Sequence, residues 1–121
     1  MSGQYQVLIA DDNFTIQDTL SKYLGRLGCQ TSITNTAEKC IEKLGEIKVD
    51  CIFAGLCVRE NGARSIARWV KDNFPDIKIF VVTGWKGDLE QKLLNFEGIH
   101  QVIHKPLIFS EVRDKFIEYF G

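Results

Sequence analysis

Two adjacent carboxylates near the start of the sequence are the first residues whose types and spacing suggest chemistry. Residues 7–10 are all apolar, and Asp11, Asp12 and Asn13 come directly after them. A short apolar run of this kind is typical of a strand buried on both faces of a parallel sheet. Carboxylates at its carboxyl end lie where such sheets bind ligands, and they repel each other unless a cation is near. Two interpretations stay open: a cation site, or a helix start capped by these side chains.

Later strand ends carry further candidates for the same site. Thr83-Gly84 and Lys105-Pro106 each follow a strand-like run, and another apolar run ends at Ala54 and Gly55. If these strands are parallel, their carboxyl ends meet at one edge of the sheet. The hydroxyl, the ammonium group and the two carboxylates would then lie close together.

Strand-like and helical patterns alternate along the chain and predict the elements that position these residues. The predicted strands are residues 7–10, 30–33, 51–54, 77–82 and 101–104. Apolar residues at helical spacing follow each strand and predict a helix there. The five predicted helices contain, in chain order, the apolar residues Leu20, Cys40, Ile66, Leu93 and Phe116. Asn35 and Glu38 resemble a capping box at the start of the second helix. The alternation predicts an α/β fold, a doubly wound five-stranded parallel sheet.

Length and composition restrict the class of protein. With 121 residues, of which 45% are hydrophobic, the chain is predicted to form a single domain over residues 1–121. A formal charge of −1 gives no basic field that would attract nucleic acid. Without a signal-like segment or an apolar run of membrane-spanning length, we expect a cytoplasmic protein that does not bind membranes. Four cysteines lack the spacing of a metal site and are predicted to be buried, reduced thiols: Cys29, Cys40, Cys51 and Cys57.

The pairs Asp11-Asp12, Thr83-Gly84 and Lys105-Pro106 follow the first, fourth and fifth predicted strands. With these pairs in this order, the sequence resembles the receiver domain of bacterial two-component response regulators. The resemblance covers essentially the full length of the chain. The resemblance implies a flavodoxin-like (βα)5 fold in which the acidic pair helps to bind Mg²⁺. It also implies that Thr83 contacts a phosphoryl group on a strand-three aspartate and that Lys105 neutralises it. The Lys105-Pro106 peptide bond is expected to be cis.

The third strand departs from the family pattern, because no aspartate stands where the phosphoryl group would be accepted. Counting forward from Asp50 places the acceptor position at Gly55, whereas counting back from Gly62 places it at Ala54. Neither residue has a carboxylate, and both positions stay open. The family's proline-containing stretch after the acceptor is also absent, and its aromatic switch position is Val102. The sequence therefore predicts an atypical receiver that lacks the phospho-acceptor aspartate.

Other residues are poor substitutes for the missing acceptor. Asp50 opens the same strand, about 16 Å from its other end at roughly 3.3 Å per residue, and is predicted to be a strand-opening residue. Asp11 or Asp12 would have to abandon the metal role. Nothing near Cys57 except Lys105 would activate its thiol. We therefore expect Lys105 to form an ion pair with Asp11 or Asp12.

These observations predict a pseudo-receiver, which acts through protein-protein interaction without phosphorylation of the usual aspartate. Its partner would be a histidine kinase, an effector domain or a second receiver. A homodimer would use the face formed by the fourth and fifth predicted helices. Most of the aromatic residues of the last helix should be in the core, and an exposed one would mark that face: Phe109, Phe116, Tyr119 and Phe120.

The cofactor and enzyme expectations follow from the same residues. No cofactor is required, and Mg²⁺ is expected to bind weakly at Asp11 and Asp12, because a third carboxylate is missing and Lys105 offsets their charge. We expect a protein that is not an enzyme. Two alternatives stay open: a phosphorylated receiver with a non-standard acceptor, and a flavodoxin-like binder or phosphatase on the same fold.

Overall fold

The computed structural model describes residues 4–55, 62–84 and 98–121. The strands in these ranges are β1 (Gln6–Ala10), β2 (Gln30–Thr34), β3 (Cys51–Gly55), β4 (Lys78–Thr83) and β5 (Gln101–His104). The helices are α1 (Phe14–Arg26), α2 (Ala37–Leu44), α3 (Gly62–Asn73) and α4 (Phe109–Phe120). The strands form one parallel sheet in the order β2-β1-β3-β4-β5. The predicted doubly wound α/β fold is confirmed, and the predicted helix that contains Leu93 lies outside the described residues.

The sheet carries an apolar layer on each face, because side chains alternate along every strand. On one face, Leu8, Ala10 and Ala54 pack with α2 and α3. On the other face, Ile9 and Phe53 pack with α1 and α4. β3 lies at the centre of the sheet and is buried along its full length, as its apolar sequence predicts. Among the described helices, none combines the length and the apolar character that crossing a membrane requires.

The capping interpretation left open for residues 11–13 is confirmed at Asn13, and the cap predicted for α2 is wrong by one residue. Asn13 caps α1, since its side chain accepts the N–H of Ile16 at 3.0 Å. In α2 the cap is Thr36, whose Oγ1 accepts the N–H of Lys39 at 3.0 Å, and not Asn35. Both residue types can accept this bond, so the side-chain chemistry does not select between them. Thr36 has the extended backbone of a cap residue, with φ −140° and ψ 157°, and α2 begins at the next residue, Ala37.

The described cysteines are buried and unpaired, as predicted. Cys29, Cys40 and Cys51 are all free thiols. Burial raises the pKa of Cys29 to about 11 and that of Cys40 to about 12, so neither thiol ionises at neutral pH. Cys57 lies outside the described residues.

α4 covers the open edge of the sheet at β5. A strand at an edge exposes backbone groups that no neighbouring strand can bind. Here the carbonyl of Val102 accepts a hydrogen bond from Lys115 Nζ, and the N–H of His104 donates to Glu111 Oε1 at 3.2 Å. Side chains of α4 thus bind the outer backbone groups at the end of β5, directly before Lys105.

Candidate functional site

Four strand ends meet at one edge of the sheet, as the parallel arrangement predicts. The end of β1 pairs with the end of β3, and the end of β4 pairs with the end of β5. This pairing brings Asp11, Gly55, Thr83 and Lys105 to the same edge. The N–H of Lys105 donates to the carbonyl of Thr83 at 2.9 Å, which holds the segment after β5 against β4. The predicted grouping of these residues is therefore present.

Asp11 is the buried acid of the pair, with a side chain that is 1% exposed. Its Oδ1 accepts the N–H of Asn13 at 2.9 Å, and its backbone carbonyl accepts a hydrogen bond from the Gln17 side chain. Its Oδ2 has no hydrogen-bond partner among the described residues and lies 3.9 Å from Lys105 Nζ. Burial raises the pKa of Asp11, and this effect outweighs the lowering by the Asn13 N–H and by Lys105. The ion pair predicted for Lys105 is thus found at Asp11.

The other predicted site residues differ in exposure. Asp12 and Gly84 are exposed to solvent, whereas Thr83 is buried. Lys105 Nζ lies 3.9 Å from Asp11 Oδ2, and the Lys105 side chain is 24% exposed, so solvent can still reach it. The Lys105-Pro106 peptide bond is cis, which confirms the expectation for this position.

Ala54 and Gly55 end β3 and point to opposite faces of the sheet. Ala54 is fully buried in the apolar layer beneath α2 and α3. A Cβ atom on Gly55 would lie 2.8 Å from Asp11 Cγ and closer still to Oδ2, nearer than real Cβ atoms come to other atoms. The carboxylate of Asp11 therefore occupies the space in which a side chain at position 55 would begin. Asp50, at the opposite end of β3, accepts the N–H of Gln6 at 2.8 Å, which confirms its strand-opening role.

The resemblance implied a divalent cation at the two acids, and the described residues do not fit one in this arrangement. A hard cation such as Mg²⁺ needs several oxygen ligands around one point. Asp11 Oδ1 accepts a backbone N–H, and Oδ2 faces Gly55 and the ammonium group of Lys105. Of the two acids, Asp12 is the exposed one. In residues 4–55, 62–84 and 98–121, no group of three or more His, Cys, Asp or Glu residues is placed to hold a metal ion.

A second polar cluster, which sequence reasoning missed, lies beside this edge. His104 Nδ1 and Glu111 Oε2 are 2.5 Å apart, and Lys115 Nζ lies 3.2 Å from the same oxygen. Burial acts to raise the pKa of Glu111, but the hydrogen bonds from His104 and Lys115 outweigh it, so the pKa is lowered. The spacing of Glu111 and Lys115 is visible in the sequence as an i,i+4 pair. Their contact with His104 requires α4 to pack on β5.

The family comparison agrees with the fold. Residues 7–117 match the family described as response regulator receiver domain. The chain belongs to the response regulator receiver domain family. No curated protein matches the sequence.

Solved structures share the fold of this receiver domain. The signal receiver domain of an HD domain-containing protein from Pseudomonas fluorescens has a TM-score of 0.87 at 17% identity, over 99% of this chain and 89% of that one. A CheY-like receiver domain protein from Methanospirillum hungatei has a TM-score of 0.86 at 19% identity, over 98% and 94%. A chemotaxis response regulator of Vibrio cholerae has a TM-score of 0.86 at 15% identity, over 96% and 98%. At these identities the likeness concerns the fold, so the function must be argued from the receiver domain's own residues.

Proposed function

We propose that this receiver domain is a signalling module that acts by binding proteins and takes no phosphoryl group on its third strand. The observation that carries the proposal is the end of β3, where Ala54 and Gly55 stand in place of an acidic residue. Transfer to a receiver needs a carboxylate oxygen as the nucleophile. Neither a methyl group nor a glycine hydrogen can replace that oxygen.

We infer that Gly55, rather than Ala54, holds the position of the absent acceptor. A side chain at position 55 would project towards Asp11, which is the acid that faces Lys105. A side chain at position 54 instead projects into the apolar layer, where Ala54 lies between its strand partners Ala10 and Val81. A carboxylate there would be buried away from the ammonium group that it needs.

The proposed partner is a histidine kinase, an effector domain or a second receiver domain, since receiver domains interact with such proteins. α4 offers exposed apolar side chains for this contact: Ile117 is 49% exposed and Tyr119 is 38% exposed. Tyr119 is thus an exposed aromatic residue of the last helix, and Phe116 is in the core. The other half of the face predicted for a homodimer lies outside the described residues. If α4 mediates self-association, sedimentation should show a mass that rises with concentration and is reduced by Ile117→Lys.

Treatment with Mg²⁺ and acetyl phosphate, followed by intact-protein mass spectrometry, tests the loss of phosphorylation. We expect the wild-type protein to remain unmodified. Gly55→Asp is expected to gain a hydroxylamine-sensitive phosphate adduct, because it places a carboxylate on the side of β3 that faces Asp11 and Lys105. Ala54→Asp is the matched control, since the same carboxylate one residue earlier faces the apolar layer. We expect no adduct on that variant.

A hydroxylamine-sensitive adduct on the wild-type protein would overturn the proposal. Peptide mapping would then locate the adduct, and a position at Asp11 or Asp12 would establish a receiver with a non-standard acceptor.

We also propose that the domain is not an enzyme and requires no cofactor. A bound flavin would give absorbance in the visible range, and phosphatase activity would hydrolyse p-nitrophenyl phosphate. Either result would favour a flavodoxin-like binder or a phosphatase on the same fold.

A further inference from the structure

The absence of a side chain at Gly55 leaves a gap beside β1, and Asp11 fills it. A Cβ atom on Gly55 would lie 2.8 Å from Asp11 Cγ, a distance that real Cβ atoms do not show. The backbone φ of Gly55 lies outside the left-handed region, so the local conformation does not require glycine. What excludes a side chain at position 55 is therefore the carboxylate of Asp11.

The carboxylate of Asp11 is held in this place from two sides. The N–H of Asn13 binds Oδ1 at 2.9 Å, and Lys105 Nζ lies 3.9 Å from Oδ2. The side chain is 1% exposed, and within the described ranges Oδ2 accepts no hydrogen bond. A carboxylate with so little contact with water depends on a nearby positive charge. Lys105 supplies that charge.

We propose that Asp11 and Gly55 are a coupled pair, in which the Asp11 carboxylate takes the place of the missing β3 side chain and Lys105 is its counter-ion. We infer that this arrangement excludes a divalent cation, in contrast to the Mg²⁺ site that the family implies. A metal ion at this edge would require Asp11 to leave the gap at Gly55 and Lys105 to lose its partner. The inference is separate from the proposed function, because its tests measure stability and Mg²⁺ binding without a phosphodonor.

The coupling predicts that the effect of Gly55→Ala on stability changes sign when Asp11 is replaced by alanine. In the wild-type background the added methyl group must displace the carboxylate, and we expect the unfolding equilibrium constant to rise by about tenfold, as in overpacked cores. In an Asp11→Ala background the methyl group has room, and alanine restricts the unfolded chain more than glycine does. The same substitution should then lower the unfolding constant. Urea unfolding of the wild type, both single variants and the double variant measures the coupling.

Gly25→Ala is the matched control for this cycle. Nothing lies within 4 Å of a Cβ atom built on Gly25, which is in α1. Its effect should be the same with and without the Asp11 carboxylate. If Gly55→Ala also changes stability equally in both backgrounds, Asp11 and Gly55 are not coupled and the proposal is wrong.

A calorimetric titration with Mg²⁺ tests the exclusion of the cation without the Asp11→Ala variant. Gly55→Ala adds no ligand, but its methyl group forces the Asp11 carboxylate out of the gap. The displaced carboxylate can then bind Mg²⁺ together with the exposed Asp12. We therefore expect Gly55→Ala to have a lower Kd for Mg²⁺ than the wild type, and Gly25→Ala to bind as the wild type does. Micromolar binding by the wild type, or no gain in affinity for Gly55→Ala, would overturn the exclusion.

Discussion

Replacing Glu111 by glutamine tests whether the side chains of α4 hold the end of β5, directly before Lys105. One carboxylate oxygen of Glu111 accepts the N–H of His104, and the other contacts both His104 Nδ1 and Lys115 Nζ. A glutamine amide has one accepting oxygen and one donating NH₂ group. Whichever way the amide is turned, the hydrogen bond from either the His104 N–H or Lys115 Nζ is lost. The variant keeps the size of the side chain, so the packing of α4 is preserved.

The expected loss of stability follows from how far the cluster is exposed. Hydrogen bonds to charged groups contribute about 1.5–3 kcal/mol, and exposed ion pairs about 0–1 kcal/mol. The side chains of His104 and Glu111 are 29% and 20% exposed, so we expect the contribution of this pair to lie between these two ranges. We therefore expect Glu111→Gln to lower the free energy of unfolding by about 1–2 kcal/mol at neutral pH.

The pH dependence of this loss gives a second signature. Hydrogen bonds from His104 and Lys115 outweigh burial and lower the pKa of Glu111 in the folded protein below its ordinary value of 4.5. The contribution of the carboxylate is therefore fully present above pH 4.5 and is lost as the pH falls through the lowered folded pKa. In urea unfolding, the difference between the wild type and Glu111→Gln should shrink over that range.

Glu118→Gln is the matched control on the same helix. Glu118 accepts an exposed hydrogen bond from the Gln101 side chain at 2.9 Å, and its replacement should cost less than about 0.5 kcal/mol. Equal losses for Glu111→Gln and Glu118→Gln would refute the reasoning. A loss for Glu111→Gln that stays unchanged at low pH would refute it as well.

Other substitutions have equally definite expected outcomes. Thermal denaturation should show a cost of about 1 kcal/mol for Thr36→Ala, which removes the α2 cap, and little cost for Asn35→Ala. His100 Nδ1 accepts the N–H of Ile79 at 3.0 Å, and burial lowers the pKa of His100, so the unfolded chain binds a proton more readily than the folded protein. Stability should therefore fall as the pH drops below 6.5, and His100→Gln should lack this loss. Gly98→Ala should destabilise the protein in urea unfolding, because the φ of 94° at Gly98 is rarely adopted by alanine.

Most of the fold could be predicted from local patterns. The strand β5 was predicted with its observed bounds, and β3 and β4 to within one residue, because runs of apolar or β-branched residues bounded by polar or turn residues are a local signal. The start of α2 could not be settled in this way. Asn35 and Thr36 are both good caps, and the sequence does not show which of them takes the extended backbone of the cap.

The composition of the site was also predictable, including its missing member. Parallel strands with short crossovers all end at the same edge, so the order of elements is enough to group Asp11, Thr83 and Lys105. The absence of an acid at both Ala54 and Gly55 is likewise visible in the sequence.

The orientation of the site residues depended on contacts between distant parts of the chain. Counting from Asp50 or from Gly62 gives two different positions on β3, and a shift of one residue turns a strand side chain to the opposite face. The pairing of β3 with β1 and β4 places Ala54 in the apolar layer and Gly55 against Asp11. No pattern along the sequence indicates that the carboxylate of one residue fills the space left by the missing side chain of another, because that contact exists only after β1 and β3 have paired.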